Sequence, residues 1–522
     1  MQALDSSRSA ALDSPRYKAS TAFAAERKQE LGQFLTSGSI GAFMASLFGK
    51  NPPEIRLLDA GAGDGALITA LVKEMRQWRR RPKRVSVTAY EIDESIVPAL
   101  ERTLLWCQAE CEQSGIQFSA DLRNEDFIEV AVPLVRADLF GASKTPFNAA
   151  ILNPPYRKIN SDSHARRLLR EAGIETSNLY TGFLALAAKL LTENGEMVAI
   201  CPRSFCNGPY FKSFREQFLD AMSLRRLHVF ESRSATFQHD EVLQENIIVH
   251  AVKSPDKPQC VVISASSGAD GGNISERTCP YTEVVSPRDP ERFIHLVTGE
   301  TDDAVRQQMA HFTTPLAKLG LEVSTGRVVE FRAKQFLVRE SQHNAVPLIY
   351  PCHFNSGFVR WPKPGGRKPN AIRDTERTQE LLVPGAIYVL VKRFTTKEER
   401  RRVVACIYDP HRIRAERVGF ENHLNYFHAR RRGLPMELAK GLAAFLDSRL
   451  VDVYFRQFNG HTQVNATDLR NFRNKCSRLD RFLSRGRRFR IGSSPSARAW
   501  RYLRVQNRIA FSSSARRALQ QQ

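Results

Sequence analysis

Short apolar runs alternate with amphipathic stretches along the first half of the chain. Residues 55–58 and 85–90 have the composition of buried strands, and residues 66–78 between them place their apolar side chains on one face of a helix. A further apolar run spans 147–152, and residues 247–252 look like the last strand of the same sheet. Strands that alternate with helices in this way predict a doubly wound α/β domain built on a mixed sheet.

The pattern changes further along the chain, and we expect four segments. Residues 1–20 are polar and predicted to be disordered. We assign residues 21–255 to the α/β domain and residues 256–470, whose short strands are broken by Pro and Gly, to a mixed α+β domain. Residues 471–522 form a basic, Arg- and Ser-rich tail, which is either a divergent arm or the product of a frameshift.

A glycine-rich turn follows the first predicted strand, with the sequence Asp-Ala-Gly-Ala-Gly-Asp-Gly from Asp59 to Gly65. Glycines such as Gly61 and Gly63 let a backbone approach a ligand closely and adopt positive φ. Their spacing differs from the Gly-x-Gly-x-x-Gly of dinucleotide-binding folds, and the two carboxylates would repel a pyrophosphate. The turn therefore predicts a ligand with a cationic or amine-bearing part.

Acidic residues also follow the second and third predicted strands. Glu91 comes directly after the second strand, where a carboxylate can accept hydrogen bonds from both hydroxyls of a ribose. Asp126 and Phe127 follow a polar stretch and offer a carboxylate and an aromatic face, which suit the amine and the ring of an adenine. Together with the glycine-rich turn, these residues predict an adenosine-containing ligand.

The residues Asn153, Pro154, Pro155 and Tyr156 follow the apolar run 147–152. The Asn offers a side-chain carbonyl, the first Pro has no N–H and a fixed φ, and the Tyr offers a flat face for stacking. This set suits a site that holds a planar amino group while its nitrogen is alkylated. For these four residues taken alone, the alternative is a Pro-Pro turn with a surface Tyr.

These motifs, in this order, resemble the amino-group DNA methyltransferases of the N6-adenine type, and the long match through residues 391–394, 421–427 and 460–470 resembles the BsuBI/PstI modification methylases in particular. The resemblance covers residues 20–470, and it implies a methyltransferase fold that binds S-adenosylmethionine, followed by a target-recognition domain. Further segments that match the family pattern are Leu31–Thr36, Leu179–Phe183, Gly195–Pro202, Val391–Phe394, Glu421–Phe427 and Gly460–Arg470.

The resemblance also implies a role for each residue of the catalytic set Asn153, Pro154, Pro155 and Tyr156. The Asn153 side chain and the Pro154 carbonyl would accept hydrogen bonds from the target amine of an adenine flipped out of the duplex. Tyr156 would stack on that base, and Phe237 on its other face, unless Phe237 is a core aromatic. The implied cofactor contacts come from Thr36, Asp59, Gly61, Gly63, Glu91, Asp126 and Phe127.

The charge is distributed unevenly along the chain, which carries 77 basic and 55 acidic residues and a net charge of +22. Residues 1–255 hold 31 basic and 30 acidic residues, residues 256–470 hold 32 and 24, and residues 471–522 hold 14 and 1. A neutral first half and a basic second half predict a nucleic-acid-reading region downstream of a small-molecule pocket. Candidate DNA contacts, to phosphates or to base edges, are Arg360, Lys363, Arg367, Lys392, Arg393, His461 and Thr462.

We therefore expect a monomeric, cytoplasmic modification enzyme that acts on double-stranded DNA, with a restriction endonuclease as its genetic neighbour. The resemblance implies the site CTGCAG. No apolar run approaches the roughly 18 residues of a membrane span. The nine scattered cysteines predict neither a metal site nor a disulfide. The alternatives are a protein glutamine methyltransferase, a fused restriction–modification enzyme and a catalytically inactive DNA-binding regulator.

Overall fold

Two compact units make up the structure, which is a computed structural model. It describes residues 36–49, 52–139, 146–230, 246–266, 274–287, 289–296, 300–310, 314–339, 344–395, 399–459, 463–470 and 473–474. One unit lies within residues 1–298 and 457–461, and the other lies within residues 299–456 and 462–522.

The first unit is built on one large sheet with helices on both of its faces. Its strands are β1 (Glu54–Ala60), β2 (Arg84–Tyr90), β3 (Gln117–Arg123), β4 (Phe147–Leu152), β5 (Leu191–Pro202), β6 (Met222–Phe230), β7 (Asn246–Lys253), β8 (Cys260–Ser266) and β9 (Ile274–Pro280). Its helices are α1 (Gly38–Ser46), α2 (Ala66–Arg76), α3 (Val97–Gln113), α4 (Phe127–Leu139), α5 (His164–Glu171), α6 (Leu179–Leu190), α7 (Lys212–Ala221) and α8 (Tyr281–Val284).

The strand order of this sheet is β3-β2-β1-β4-β5-β7-β6-β8-β9. The first five strands in the chain pair in parallel, whereas β7 runs antiparallel between β5 and β6. The order reverses between β1 and β4, and a doubly wound sheet binds ligands at the carboxyl ends of the strands beside such a switch point. The predicted doubly wound mixed sheet is confirmed.

Apolar side chains that alternate along the central strands bury both faces of the sheet. Leu58 and Ala150 pack in one core with residues of α4 and α6. Leu57 and Ile151 pack in a second core with residues of α1, α2 and α3. Helix α2 contributes the apolar face that its sequence predicted, through buried Leu67, Ile68, Leu71, Val72 and Met75.

The predicted domain boundary at residue 255 is wrong, because the sheet continues past it. Strand β8 pairs in parallel with β6, with Arg226 opposite Val262, and β9 adds an antiparallel edge strand. The Pro-containing stretch after β7 is a turn within this sheet: the Ser223 hydroxyl donates to the Asp256 carbonyl at 2.6 Å. Without β8, the edge of β6 would expose unpaired backbone groups.

The second unit contains short strands and helices. Its strands are β10 (Thr314–Pro315), β11 (Glu322–Thr325), β12 (Leu337–Val338), β13 (Ala345–Ile349), β14 (Phe354–Asn355), β15 (Phe358–Val359), β16 (Ala371–Arg373), β17 (Leu382–Pro384), β18 (Tyr388–Lys392), β19 (Ala405–Tyr408), β20 (Arg417–Phe420), β21 (Leu424–His428) and β22 (Arg473–Asn474). Its helices are α9 (Glu300–Ala310), α10 (Glu330–Ala333), α11 (Pro410–Ile413), α12 (Met436–Leu446), α13 (Arg449–Phe458) and α14 (Ala466–Arg470).

Two main sheets organise this unit, in the orders β11-β21-β18-β19-β15-β14 and β12-β16-β13-β20-β17. The predicted boundary at residue 470 is also misplaced, because β22 pairs with β10 and places Asn474 opposite Thr314. The predicted disordered segment 1–20 and the tail beyond residue 474 lie outside the described residues.

Candidate active site

The glycine-rich turn after β1 is hydrogen-bonded to the end of β2. The N–H groups of Gly61 and Ala62 donate to the Tyr90 carbonyl at 2.9 and 2.8 Å. Gly61, Gly63 and Gly65 have φ of 82°, 57° and 82°, a left-handed region that favours glycine. At Gly65, an added Cβ would lie 2.7 Å from a Thr103 methyl group, so the turn also needs glycine for its packing against α3.

A cavity of about 520 Å³ opens beside this turn, at the carboxyl ends of β1, β2 and β4. Four acidic and two basic side chains belong to its lining, which gives it a negative balance. They are Asp64, Glu91, Glu125, Asp126, Arg102 and Arg157. Of the predicted cofactor contacts, the structure brings Thr36, Gly61, Gly63, Glu91, Asp126 and Phe127 to this one cavity.

Glu91 is buried at the cavity wall, and its carboxylate spans two backbone donors. Oε2 accepts from the Gly63 N–H and Oε1 from the Asp93 N–H, both at 2.8 Å. Burial raises the pKa of Glu91, and the two backbone hydrogen bonds oppose that rise. An ionised carboxylate has about four acceptor sites, so Glu91 can still accept from the hydroxyls of a ribose.

Asp59 lies at the end of β1 and is fully buried. Neither carboxylate oxygen has a hydrogen-bond partner among the described residues. Burial raises the pKa of Asp59 well above its usual value, and the nearby carboxylates of Glu91 and Asp64 raise it further. A buried carboxylate without a partner is costly unless a cation or a donor completes the site. Asp59 is not among the residues that line the cavity, so its contact with the cofactor stays a prediction.

Aromatic side chains form another part of the cavity lining, next to the acidic residues. Phe127 packs edge-on against Tyr90 with ring centroids 5.2 Å apart, and it contacts Phe183 at 5.1 Å. Asp126 precedes Phe127, and its Oδ1 accepts from the Ile128 N–H at 2.7 Å at the start of α4. The predicted adenine contact therefore has a second role as a helix cap, which leaves Oδ2 as the oxygen for a ligand amine.

Asn153 projects from the end of β4 into the same cavity, with its side chain held at both ends. Its Nδ2 donates to the Thr36 hydroxyl at 2.9 Å, and its Oδ1 accepts from the Tyr156 hydroxyl at 3.0 Å. The Tyr156 hydroxyl also lies 3.3 Å from the Ile200 carbonyl on β5. These contacts fix the direction of the carboxamide oxygen, which is the acceptor predicted for the target amine.

Of the other three residues of the Asn-Pro-Pro-Tyr segment, one lines the cavity and two do not. Pro155 lines the cavity, and Pro154 is buried. Tyr156 lies outside the lining and packs edge-on against Tyr180, with ring centroids 6.3 Å apart. Burial raises the pKa of Tyr156 well above its usual value, so the phenol stays protonated as a donor. The stacking role of this ring stays a prediction.

The predicted DNA contacts of the second unit fall in two places. Arg360, Lys363 and Arg367 are exposed on the loop after β15. Buried Asn370 anchors that loop, because its Oδ1 accepts from the Lys363 N–H at 2.9 Å. Trp361 adds a 2.6 Å hydrogen bond from its indole N–H to the Asn370 carbonyl.

Lys392 and Arg393 lie at the other end of the same sheet. Phe358 of β15 and Val389 of β18 both align with Ile407 of β19. This register separates Arg360 from Lys392 by about 17 Å along the strand direction, at about 3.3 Å a residue. The structure therefore does not bring the two basic groups together. The predicted contacts Phe237, His461 and Thr462 lie outside the described residues.

An aromatic and charged cluster beside Arg393 was not singled out as a site from the sequence. Phe394 is 40% exposed, and its ring lies 4.8 Å from that of His423. The His423 Nδ1 is 2.5 Å from Oε1 of Glu421, which is fully buried. The Arg393 guanidinium lies 5.7 Å from the Phe394 ring. In the sequence, the Glu-x-His spacing of residues 421–423 could have indicated this cluster.

The described residues contain no group of three or more His, Cys, Asp or Glu side chains arranged to hold a metal ion. Among the helices of the described ranges, none is both long and apolar enough to cross a membrane. Cys107 and Cys111 are free thiols, and burial raises their pKa to about 12 and about 11.

The sheet order, the glycine-rich turn and the acid at the end of β2 define an S-adenosylmethionine-dependent methyltransferase. The family model for the Eco57I restriction-modification methylase matches residues 71–237. The chain is 44% identical over 462 residues to the type II methyltransferase M.PstI of Providencia stuartii, which covers 88% of this chain and 90% of that protein. It is 43% identical over 451 residues to the type II methyltransferase M.BsuBI of Bacillus subtilis, a match that covers 86% of this chain and 88% of that protein.

The chain therefore belongs to the type II methyltransferases, and it is a DNA methyltransferase of a restriction–modification system. Among solved structures, the type IIG restriction endonuclease BpuSI is similar, with 13% identity and a TM-score of 0.43. That match covers 87% of this chain and 61% of the BpuSI chain. The predicted family and cofactor are confirmed.

The residues of the cavity fit S-adenosylmethionine. The negative lining suits the cationic methionine part, and Glu91 suits the ribose. Asp126 and Phe127 suit the adenine amine and ring. When bound, this cofactor supplies a methyl group on a positively charged sulfur.

Proposed function

We propose that the protein methylates N6 of adenine in double-stranded DNA, on a base flipped out of the duplex. The observation that carries this proposal is the Asn153 carboxamide, held by Thr36 and Tyr156 beside the cofactor cavity. A hydrogen-bond acceptor in this place suits an exocyclic amine. The target amine is out of reach inside a stacked duplex, which is why the proposal includes flipping.

Asn153 and Pro154 would act by positioning the amine. The N6 lone pair is delocalised into the adenine ring, which makes it a poor nucleophile. Hydrogen bonds from the two N–H groups to Asn153 Oδ1 and the Pro154 carbonyl would favour a pyramidal nitrogen with its lone pair exposed. A carbonyl oxygen has two lone pairs, so Oδ1 can accept from both Tyr156 and the substrate.

The chemical step is then an in-line displacement that depends mostly on geometry. The N6–C bond forms as the bond between the methyl carbon and sulfur breaks, and the amine afterwards loses one proton to solvent. No strong base is required, which agrees with the absence of a His or Lys side chain from the described lining of the cavity. Tyr156 and Phe237 are the proposed stacking residues.

On the DNA side, we assign the contacts to the second unit. Exposed Arg360, Lys363 and Arg367 form one basic group, and Lys392 and Arg393 form another. Phosphate contacts position a protein on DNA, whereas base-edge contacts specify the sequence. Two groups at opposite ends of one sheet suit contacts to separate parts of a site. His461 and Thr462 complete the proposed set.

The similarity to M.PstI and M.BsuBI supports the site CTGCAG, which their family resemblance implies. We also propose that the enzyme works as a monomer in the cytoplasm, with a nuclease for the same site as its genetic neighbour. Plasmid protection tests the function in cells. DNA from cells that express the protein should resist a CTGCAG-cutting nuclease, and DNA from cells that express Asn153→Ala should be cut. Cutting in both cases would reject the proposed site.

A further inference from the structure

Tyr210 is an exposed aromatic residue on the catalytic side of the sheet. It lies in the segment after β5, and the carboxyl end of β5 belongs to the edge that carries the active site. Its side chain is 73% exposed, the most of any large apolar or aromatic side chain in the described part of the first unit. A single exposed aromatic side chain is common on a protein surface, so it is the place of Tyr210 at this edge of the sheet that makes it a candidate for contact with the substrate.

A buried arginine holds the segment that presents this ring. Arg215 of α7 is fully buried, and its NH1 donates to the carbonyls of Phe205 and Gly208 at 3.0 and 2.7 Å. Its Nε donates to the Glu291 carbonyl at 3.0 Å, and its guanidinium lies 5.2 Å from the Phe293 ring. Burying a guanidinium is costly unless it is well bonded. Here that group fixes the backbone two residues before Tyr210.

The same segment is packed against the catalytic motif. Phe211, the next residue, is buried with its ring 5.8 Å from that of Tyr180. Tyr180 in turn lies 6.3 Å from Tyr156, and its hydroxyl is 2.8 Å from the Ser204 hydroxyl. Two ring contacts therefore connect the neighbour of Tyr210 to the last residue of the Asn-Pro-Pro-Tyr segment.

We propose that Tyr210 contacts the duplex beside the flipped adenine, with its ring stacked on the base step that the adenine has left. This inference rests on the proposed function. Flipping costs the stacking of the target base, and a flat ring that takes its place offsets part of that cost. A rigid backbone is needed for this role, because a ring on a loosely held loop would lose entropy on insertion. Tyr210 is thus a positioning residue.

The test compares Tyr210→Ala with Tyr210→Phe and with a matched control. Leu105→Ala is that control, since Leu105 is 66% exposed on α3 of the same unit. Single-turnover methylation of a CTGCAG duplex should fall roughly 5- to 150-fold in Tyr210→Ala, the range expected for a lost base–aromatic stack. Tyr210→Phe and Leu105→Ala should stay close to wild type. Cofactor binding, measured by calorimetry, should be unchanged in all three variants.

A second DNA substrate distinguishes the loss of stacking from a general loss of activity. In a duplex with an abasic site opposite the target adenine, flipping is already easier, so Tyr210→Ala should recover most of its rate. A 2-aminopurine placed at the target position should also fluoresce less with Tyr210→Ala than with wild type. Wild-type rates in Tyr210→Ala, or an equal loss on both duplexes, would overturn the inference. If wild-type protein methylates no adenine at all, the proposed function fails instead.

Discussion

Asn153 Nδ2 donates a hydrogen bond to the Thr36 hydroxyl at 2.9 Å, so a residue 117 positions earlier orients the catalytic carboxamide. An amide that is held at its nitrogen cannot exchange its nitrogen and oxygen by rotating about χ2. The oxygen then faces the position proposed for the amine. Thr36 was predicted as a cofactor contact, and the structure adds this second connection to the catalytic motif.

Thr36→Val should therefore slow methyl transfer. The substitution keeps the shape of the side chain and removes the hydroxyl, and a typical neutral hydrogen bond contributes about 0.5–1.5 kcal/mol. We expect a loss of roughly 2- to 13-fold in the single-turnover rate. Thr36→Ser should retain the rate, because it keeps the acceptor. An equal loss in both variants would contradict an orienting role for the hydroxyl.

Asn153→Ala and Glu91→Ala should separate chemistry from cofactor binding. Loss of the Asn153 acceptor should abolish transfer while the Kd for S-adenosylmethionine stays within a few-fold. Glu91→Ala removes the carboxylate that joins Gly63 and Asp93, and cofactor binding should weaken by about 1–3 kcal/mol. Calorimetric titration of both variants measures this difference. A similar loss of cofactor binding in the two variants would reject the division of roles.

Asp59→Asn should stabilise the cofactor-free protein and weaken cofactor binding. Unfolded Asp ionises near pKa 3.9. In the folded protein, burial raises the pKa of Asp59 well above that value, and the negative charges of Glu91 and Asp64 raise it further. Between the two pKa values the folded state holds the extra proton, so this residue makes stability fall as pH rises through that window.

Thermal unfolding of wild type and Asp59→Asn across pH measures this effect. The Tm advantage of the variant should be largest above the folded pKa and should shrink as the pH approaches the unfolded value. If Asp59 acts on the cofactor as the sequence predicts, the variant should also bind S-adenosylmethionine more weakly, because it loses a carboxylate that attracts the cationic part of that cofactor. A variant that is less stable at neutral pH, or that binds the cofactor as tightly as wild type, would show that Asp59 has another role.

Arg367→Ala should weaken DNA binding at every sequence. Arg367 is exposed on the loop that Asn370 anchors. If it contacts a phosphate, the slope of log K against log salt should fall by about one. Arg80→Ala is the matched control, because Arg80 is exposed in the connection from α2 to β2, at the edge opposite the cofactor cavity. Fluorescence anisotropy at several salt concentrations compares the two. Equal effects would indicate a general effect of charge.

The sequence predicted the parts of the site that depend on local chemistry. The positive-φ glycines after β1, the acid after β2 and the segment after β4 each sit at a strand end, and the parallel sheet brings such ends together. A contact such as Thr36 with Asn153 depends on tertiary packing, which no local pattern encodes. The buried Arg215 is another such case, since arginine is almost never fully buried unless it is paired, and its partners are set by tertiary packing.

The domain boundaries also could not be predicted from the local sequence pattern. A stretch rich in Pro, Ser and Lys after β7 reads as a linker, yet it is a turn that returns the chain to the free edge of β6. Which strand covers an edge is decided by pairing across the sheet. The short β22 was missed for a related reason, because two residues carry no periodicity and only their pairing with β10 makes them a strand.

The most direct measurement of the central claim is the identity of the methylated base. Purified protein is incubated with isotope-labelled S-adenosylmethionine and a duplex that contains CTGCAG, and the DNA is digested to nucleosides for mass spectrometry. We expect the label in N6-methyladenine from the wild-type protein and none from Asn153→Ala. Label in a methylated cytosine, or no label in any duplex from protein that binds the cofactor, would contradict the account.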